Sequence, residues 1–374
     1  MRYIKDIDQV NSKCDRIIGL QKLKEAGLDI PSPIKIVLPR AFKDYKKNKK
    51  FSKLFIKEVT EAFYSIRKIN PNRGVYAGRA FYVPEIKQPP GPRSSSVREV
   101  GIILKEVKKL FDFAIKNKFD KKGSEIGSIF YPFISPKLPF SGGCITPSTI
   151  EKNIIVIEAI YGVDEGIQTL PHDVYHVDLT KNKIVEKKIA EKLSCLEASS
   201  QLKYSKRKVP KKLQLSQVIS DELILIIARY FTKFILQFGS HRLEFAVQSE
   251  GVYFRECVPF ALTKIQDKKI NIKGSVIKVS SIKDLKNIGE NNKIVFIDPK
   301  IIQTRNFDLI TSLAFNFSEQ KIILYPGSVT TAHAATVLRE TGHTVVFVAN
   351  QSFKTKDKVE IKLQETCLKA EKIN

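Results

Sequence analysis

The chain has 374 residues, 43% of them hydrophobic and 28% charged, with a formal net charge of +25. That balance supports packed cores, excludes a disordered or collagenous chain, and at roughly 100–200 residues per domain predicts two or three domains. No apolar run approaches the ~20 residues needed to span a bilayer, the opening MRYIKDIDQV lacks the apolar centre of a secretory signal, and the five cysteines form no CxxC pair.

These features predict a cytoplasmic, reduced protein with no membrane partner, no zinc and no disulfide framework. The positive charge attracts polyanions. The lysines, however, are spread along the chain, with KDYKKNKKFSKLFIK (Lys43–Lys57) and KYSKRKVPKK (Lys203–Lys212) as the densest runs. A dispersed excess of this kind reads as surface composition, so nucleic acid is not the expected partner.

In chain order, DRIIGLQKLKEAGLDIPSP sets Ile17, Leu20 and Leu23 at helical spacing, with Gly27 as a stop and Pro31 beyond it. IKIVLP follows as a strand and FSKLFIKEVTEAFYSIRK as an amphipathic helix. GVYAGRAFYVP reads as a strand pair or a bent strand. EIKQPPGPRSSS is a stiff, exposed loop whose serines can cap the helix spaced from Val97 to Lys118.

Residues 124–190 read as β-rich: SIFYPFI, SGGCITP, NIIVIEAIYG and DVYHVDLTKNKIVEKKIA are strands between Gly, Pro and Asn turns. His172 and His176 stand at i and i+4, about 13 Å apart on a strand at ~3.3 Å per residue, so no metal pair is expected. A long helix spans about Ser220–Gln237. HRLEFAVQSEGVYFRECVPF is then a hairpin turning at Ser249-Glu250-Gly251. A lysine-rich linker at 263–272 leads into a separate α/β module with strands SVIKVSS, NKIVFID, QKIILYPG and TVVFVAN.

That module contains YPGSVTTAHAATVLRETGHTVVFV, from Tyr325 to Val348. Thr330 or Thr331 can cap a helix ending near Gly342, which puts His333 in its first turn. The positive field of a helix N-terminus keeps an imidazole neutral and stabilises a phosphoryl group attached to it. The small residues Ala332, Ala334 and Ala335 leave room for a polyphosphate to approach in line. The same pattern also describes an ordinary surface histidine on a capped helix.

GSVTTAHAATVLRETGHTVVFV resembles the phosphohistidine signature of the pyruvate phosphate dikinase and phosphoenolpyruvate synthase family. Gly327, Thr331, His333, Ala334, Ala335, Arg339, Glu340 and Gly342 fall in step with it, and Ala332 stands where the family usually has Ser or Cys. The resemblance implies that His333 carries the phosphoryl group and Thr331 supports it. It implies an α+β / α/β chain: an ATP-grasp-like nucleotide-binding domain at 1–262, with subdomains about 1–96 and 97–262. The linker at 263–272 then joins it to a small swivelling β/β/α phosphohistidine domain at 273–374.

Other stretches follow the family in order. NSKCDRIIGLQKLKEAGLDIPSPIKI is similar to its opening, which gives Lys13 a phosphate-contacting role, although Asn11 and Ser12 replace glycines. GVYAGRAF places Arg79 on a phosphate-clamping strand, and PPGPRSSS adds Arg93 and three hydroxyls on a loop able to fold over a triphosphate. IFYPFISPKLPFSGGCITPS resembles the strand lining adenine, so Tyr131 and Phe133 are expected to flank the purine. NIIVIEAIYGVDEGIQTLPHDVYHVD matches at Glu158, Gly162, Glu165, Asp173, Tyr175 and Asp178, with Glu158 as a nucleotide-site residue. In the hairpin, Glu244 and Glu256 fall on paired strands and are implied ligands of Mg²⁺, which prefers hard oxygen donors. Glu256 replaces the family's glutamine and Val258 its arginine, while Arg255 is expected on the opposite face of its strand.

The family's pyruvate-binding barrel is not expected after His333, so the resemblance implies a half reaction. ATP with Mg²⁺ phosphorylates His333 through a pyrophosphoryl intermediate, yielding AMP and phosphate, and a separate acceptor-binding protein takes the group. The alternative is a catalytically impaired ATP-binding sensor of the same fold. A third is a nucleic-acid binder driven by charge.

Overall fold

The computed structural model describes residues 2–84, 86, 89, 91–92, 96–148, 153–168, 170–198, 204–260, 271–289, 293–303, 312–313, 321–326, 338, 343–348, 351–364 and 367–373. The chain divides into two compact units, Met1–Leu262 and Thr263–Asn374.

The first unit begins with β1 (Ile4–Asp6), α1 (Asp15–Glu25), β2 (Lys35–Val37), α2 (Pro39–Asn48), α3 (Lys53–Ile69), β3 (Val75–Tyr82), α4 (Val100–Lys116) and β4 (Glu125–Pro132). Its four strands pair antiparallel in the order β1-β2-β4-β3. Strand alternation divides their side chains between two cores. Val75, Ala77, Phe81, Ile126 and Phe130 join Phe55, Val59, Phe63, Val107 and Phe111 of α3 and α4. Tyr76, Ala80, Ile129 and Tyr131 face a second core. The helix α3 starts where the Ser52 hydroxyl accepts the Phe55 N–H at 3.1 Å.

The helix α2 lies in the run read above only as dense charge. Pro39 at its first turn and left-handed Lys49 at its end bound it, and Ala41, Phe42 and Tyr45 are its buried stripe. GVYAGRAFYVP forms one strand from Val75 to Tyr82. The subdomain boundary expected near residue 96 falls inside this layer, because α4 and β4 complete it.

The second layer contains β5 (Ser141–Pro147), β6 (Ile154–Tyr161), β7 (Asp173–Asp178), β8 (Lys183–Lys188), β9 (Ser194–Ala198), β10 (Tyr204–Lys208), α5 (Lys211–Gln214), α6 (Asp221–Phe238), β11 (His241–Gln248) and β12 (Gly251–Pro259). Six strands form an antiparallel sheet in the order β12-β11-β5-β6-β7-β8, and β9 and β10 pair separately. The stretch DVYHVDLTKNKIVEKKIA, read as one strand, is a hairpin. Asp178 Oδ1 accepts from Thr180 N at 2.8 Å and Lys181 N at 3.1 Å to close its turn, and Asn182 has φ +45°. One face of the sheet is apolar. Ile145, Ile157, Tyr175, Val177, Leu243, Phe245 and Phe254 pack with Leu20, Leu23, Ile227, Phe231 and Phe234 of α1 and α6. Gly19 lets α1 lie against β12, since a Cβ there would stand 2.1 Å from the Cys257 carbonyl oxygen.

The second unit contains β13 (Asn271–Val279), β14 (Ile294–Ile297), α7 (Pro299–Gln303), β15 (Ile322–Tyr325), β16 (Thr344–Phe347), β17 (Lys358–Gln364) and β18 (Cys367–Lys372). Its sheet runs β16-β15-β14-β13-β17-β18, with parallel neighbours from β13 to β16 and antiparallel ones beyond. Val276, Ile294, Phe296, Leu324, Val346 and Val359 form its core. Asn271 and Ile272, placed above in the linker, begin β13. Arg93, Thr331 and His333 lie outside the described residues. No described helix is long and apolar enough to cross a membrane.

Candidate functional site

The second face of the six-stranded sheet is polar, and register aligns its charges. Glu256 pairs with Glu244, Glu244 with Cys144, and Cys144 with Glu158. Directly opposed residues share a face. Three carboxyl groups and a thiol therefore form one row across four strands, though Glu244 and Glu158 are 86 residues apart in sequence (244 minus 158).

Each carboxyl is held differently. Cys144 Sγ donates to Glu158 Oε2 at 3.3 Å, and His172 Nε2 lies 3.3 Å from Glu158 Oε1 while its Nδ1 lies 2.9 Å from the Leu170 carbonyl oxygen. Burial disfavours the charged His172 ring, but the Glu158 carboxylate outweighs it and raises the pKa. Burial and the neighbouring Glu256 raise the Glu244 carboxyl to about 8. Arg242, two residues along the same strand, offsets part of that with Nη2 at 3.0 Å from Glu244 Oε1. His176 lies elsewhere, with Nδ1 3.1 Å from Glu186.

Arg255 corrects one expectation. The register shifts between Glu244 and Phe245, so that Phe254 faces Phe245 and Glu256 faces Glu244, with Arg255 as the extra residue of a β-bulge. A bulge re-aims a side chain. Arg255 joins the polar face beside Glu256 rather than pointing away. It contacts Asp164 and donates to the Ile134 carbonyl at 3.1 Å. Burial raises the Asp164 carboxyl to about 6, with Arg255 opposing the rise. Gly142 lets the short 3-10 turn carrying Asp164 lie on the sheet, since a Cβ there would stand 2.4 Å from the Asp164 nitrogen.

At the sheet edge an open cleft is lined by Arg16, Arg79, Phe81, Pro89, Glu256 and Val258, together with Cys14 and Asp15. Arg16 reaches it from the first turn of α1. Its Nε lies 3.8 Å from Glu256 Oε1, and its guanidinium sits 5.3 Å from the Tyr76 ring centroid.

The structure thus brings Arg79 and Glu256 into one cleft, with Glu244 and Glu158 in the adjoining row. Lys13 is exposed nearby. Its N–H donates to Glu125 Oε2 at 3.0 Å and its Nζ lies 5.7 Å from the Tyr82 ring centroid. Tyr131 and Phe133 are buried and stack in parallel with Tyr76 at 4.6 and 6.3 Å.

Sequence reasoning missed Arg16, Arg242 and Asp164 and misplaced Arg255. One signal was present. Phe254 and Cys257 are apolar positions three apart with two charges between them, which breaks the period of two and marks a bulge.

Among the described residues no group of three or more His, Cys, Asp or Glu side chains could hold a metal ion by itself. A pair of buried carboxylates still suits Mg²⁺, which typically binds through one or two carboxylates plus the oxygens of a phosphorylated substrate. Burial, and then the facing Glu256, disfavour the charged form of Glu244, so a cation placed there would favour its ionisation.

Residues 116–275 match the family described as "Pyruvate phosphate dikinase, AMP/ATP-binding domain". No curated sequence matches the chain. Among solved structures, the D-alanine–D-alanine ligase of Helicobacter pylori aligns at 13% identity and TM-score 0.30, over 66% of this chain and 54% of the ligase. The corresponding ligase of Bacillus anthracis aligns at 9% identity and TM-score 0.30, over 67% of this chain and 58% of the ligase. The chain spans little more than half the length of these ligases, and at that TM-score the likeness carries no argument about the site. Residues 116–275 are thus similar to the AMP/ATP-binding domain of pyruvate phosphate dikinase, and most of that range lies in the first unit.

Proposed function

We infer that the chain is an ATP-dependent phosphotransferase of the dikinase kind, in which the nucleotide bound by the first unit phosphorylates His333 of the second. One observation carries this reading. The buried pair Glu244 and Glu256 stands among Arg16, Arg79, Arg242 and Arg255, beside a cleft and within or adjoining the AMP/ATP-binding domain. Such a set neutralises a polyphosphate and leaves two carboxylates for a divalent cation. Arg79 and the exposed Lys13 supply charge for the phosphates, Arg93 adds to it, and Glu158 holds the inner end of the row. Tyr131 and Phe133 belong to the purine side of the site. Mg²⁺, when bound to Glu244 and Glu256, would draw charge from the phosphate oxygens.

The histidine ring, kept neutral, attacks the β-phosphorus of ATP as AMP leaves. Water then attacks the terminal phosphorus of the pyrophosphoryl group, breaking the phosphoanhydride bond, so that inorganic phosphate leaves and the former β-phosphoryl group stays on the ring. Thr331 supports the phosphoryl group, and a separate acceptor-binding protein receives it. Val258 in the cleft lining favours a second reading, nucleotide binding without transfer, because an aliphatic side chain gives no charge to a leaving phosphate.

ATP labelled at the β-phosphate separates the two. Stable label on the wild type, lost in His333→Ala and in acid, is the expected result. ATP binding with no label on the wild type refutes transfer and leaves the sensor.

A further inference from the structure

Arg16 is a cation that the sequence motifs did not single out. Its side chain is 10% exposed, and among the described residues its Nε and Nη1 have no hydrogen-bond partner. Buried guanidinium donors left unmet are costly. Glu256 stands 3.8 Å from Nε, close enough to hold the charge and beyond hydrogen-bonding distance. The Tyr76 ring supports the guanidinium, and the Tyr76 hydroxyl is likewise buried without a partner. Gly19, one turn along α1, lets the helix lie against β12 and so brings Arg16 to Glu256. The group is fixed in advance, with unmet donors, in a cleft that also contains Arg79.

The N-terminus of α1 adds to the same field. Asp15 and Arg16 are its first two residues and line the cleft with the cap residue Cys14. A helix N-terminus favours an anion. Val258, also in the cleft lining, offers no charge.

We propose that Arg16 is the inner phosphate-binding residue of this cleft and sets its preference for nucleotides with a polyphosphate tail over monophosphates. A phosphate oxygen would take the unmet donors of a guanidinium that Glu256 and Tyr76 already orient, so little side-chain freedom is lost on binding. This rests on the reading of the first unit as the ATP site.

The test is calorimetric titration of the full chain with ATP, ADP and AMP in the presence of Mg²⁺. The proteins are wild type, Arg16→Gln, Arg16→Lys and Lys13→Gln. Arg16→Gln is expected to weaken ATP about tenfold or more, with AMP changed about twofold or less, so that the ATP:AMP affinity ratio collapses. Arg16→Lys keeps charge beside Glu256 and is expected to lie between, and Lys13→Gln to shift the ratio less than Arg16→Gln. An unchanged ratio in both Arg16 variants overturns the proposal, as does an equal loss for ATP and AMP, which would make Arg16 only a structural partner of Glu256. If Arg16→Gln does not fold, the ratio in Arg16→Lys decides. A wild type that binds none of the three nucleotides overturns the ATP-site reading itself and this proposal with it.

Discussion

Glu244→Gln probes the centre of the site through the energetics of one proton. In the wild type, burial and the facing Glu256 raise the Glu244 carboxyl from 4.5 to about 8. Between those values the folded chain holds a proton that the unfolded chain has released. Stability from this group is therefore full below pH 4.5, falls as pH rises through the window, and levels above about 8. One proton corresponds to about 1.4 kcal/mol per pH unit, which would amount to about 3 kcal/mol at pH 7. The side chain is 16% exposed and Arg242 lies 3.0 Å away, so about 2 kcal/mol is the expected order.

Glutamine keeps the shape and can still accept from Arg242, but it does not titrate. Urea unfolding in metal-free buffer from pH 5 to 8 measures the difference, followed by circular dichroism and by tyrosine fluorescence, because the chain has no tryptophan. Relative to the variant, the wild type is expected to lose about 2 kcal/mol across that range in the transition of the first unit. Parallel pH profiles for the two proteins would mean that Glu244 holds no displaced proton, and the repulsion argument for a cation site would fail.

Two further substitutions test the framework that places the charges. Gly19→Ala puts a Cβ against the Cys257 carbonyl oxygen, where the built distance is 2.1 Å, so α1 must shift from β12. A loss of about 1–3 kcal/mol is expected in the unfolding of the first unit, together with weaker ATP binding as Arg16 leaves Glu256; a change below about 0.5 kcal/mol would contradict the close approach. Lys192 and Asp173 are fully buried with Nζ 2.5 Å from Oδ1, and Asp173 also accepts from Tyr175 Oη at 2.9 Å and Val218 N at 2.8 Å. Lys192→Met leaves that carboxylate without its buried counter-charge and is expected to cost about 3–5 kcal/mol. The double variant Lys192→Met with Asp173→Asn should recover part of the loss, and if both show equal melting temperatures the pair is not what holds this loop.

Much of the secondary structure was legible because its signals are local. The stripe Phe55, Val59, Ala62, Phe63 and Ile66 announces α3, and the turn at Ser249-Glu250-Gly251 announces the pairing of β11 and β12. The helix α2 escaped because seven lysines from residue 43 to 57 hide a stripe of only three buried residues. The β7–β8 hairpin escaped because β8 is charged and largely exposed and the turn has no glycine or proline. In the site, Glu244 and Glu256 could be expected to face each other because they flank one short hairpin. Arg16 could not be found that way, since 240 residues separate it from Glu256 (256 minus 16) and only the packing of α1 on β12 brings them together.

By itself the sequence determined elements with strong local signals, such as α3 and the β11–β12 hairpin, and the lysine-rich break near residue 265. Those properties follow from periodicity, turn chemistry and spacing, which act over a few residues. Only the tertiary structure decided which charges meet. It set the row Glu256–Glu244–Cys144–Glu158 across four strands, turned Arg255 onto that row through one extra residue, and brought Arg16 into the cleft by way of Gly19. The physical reason is that Coulomb energy and desolvation depend on separation and burial in space, and a one-residue change of register moves a side chain to the other face of a sheet.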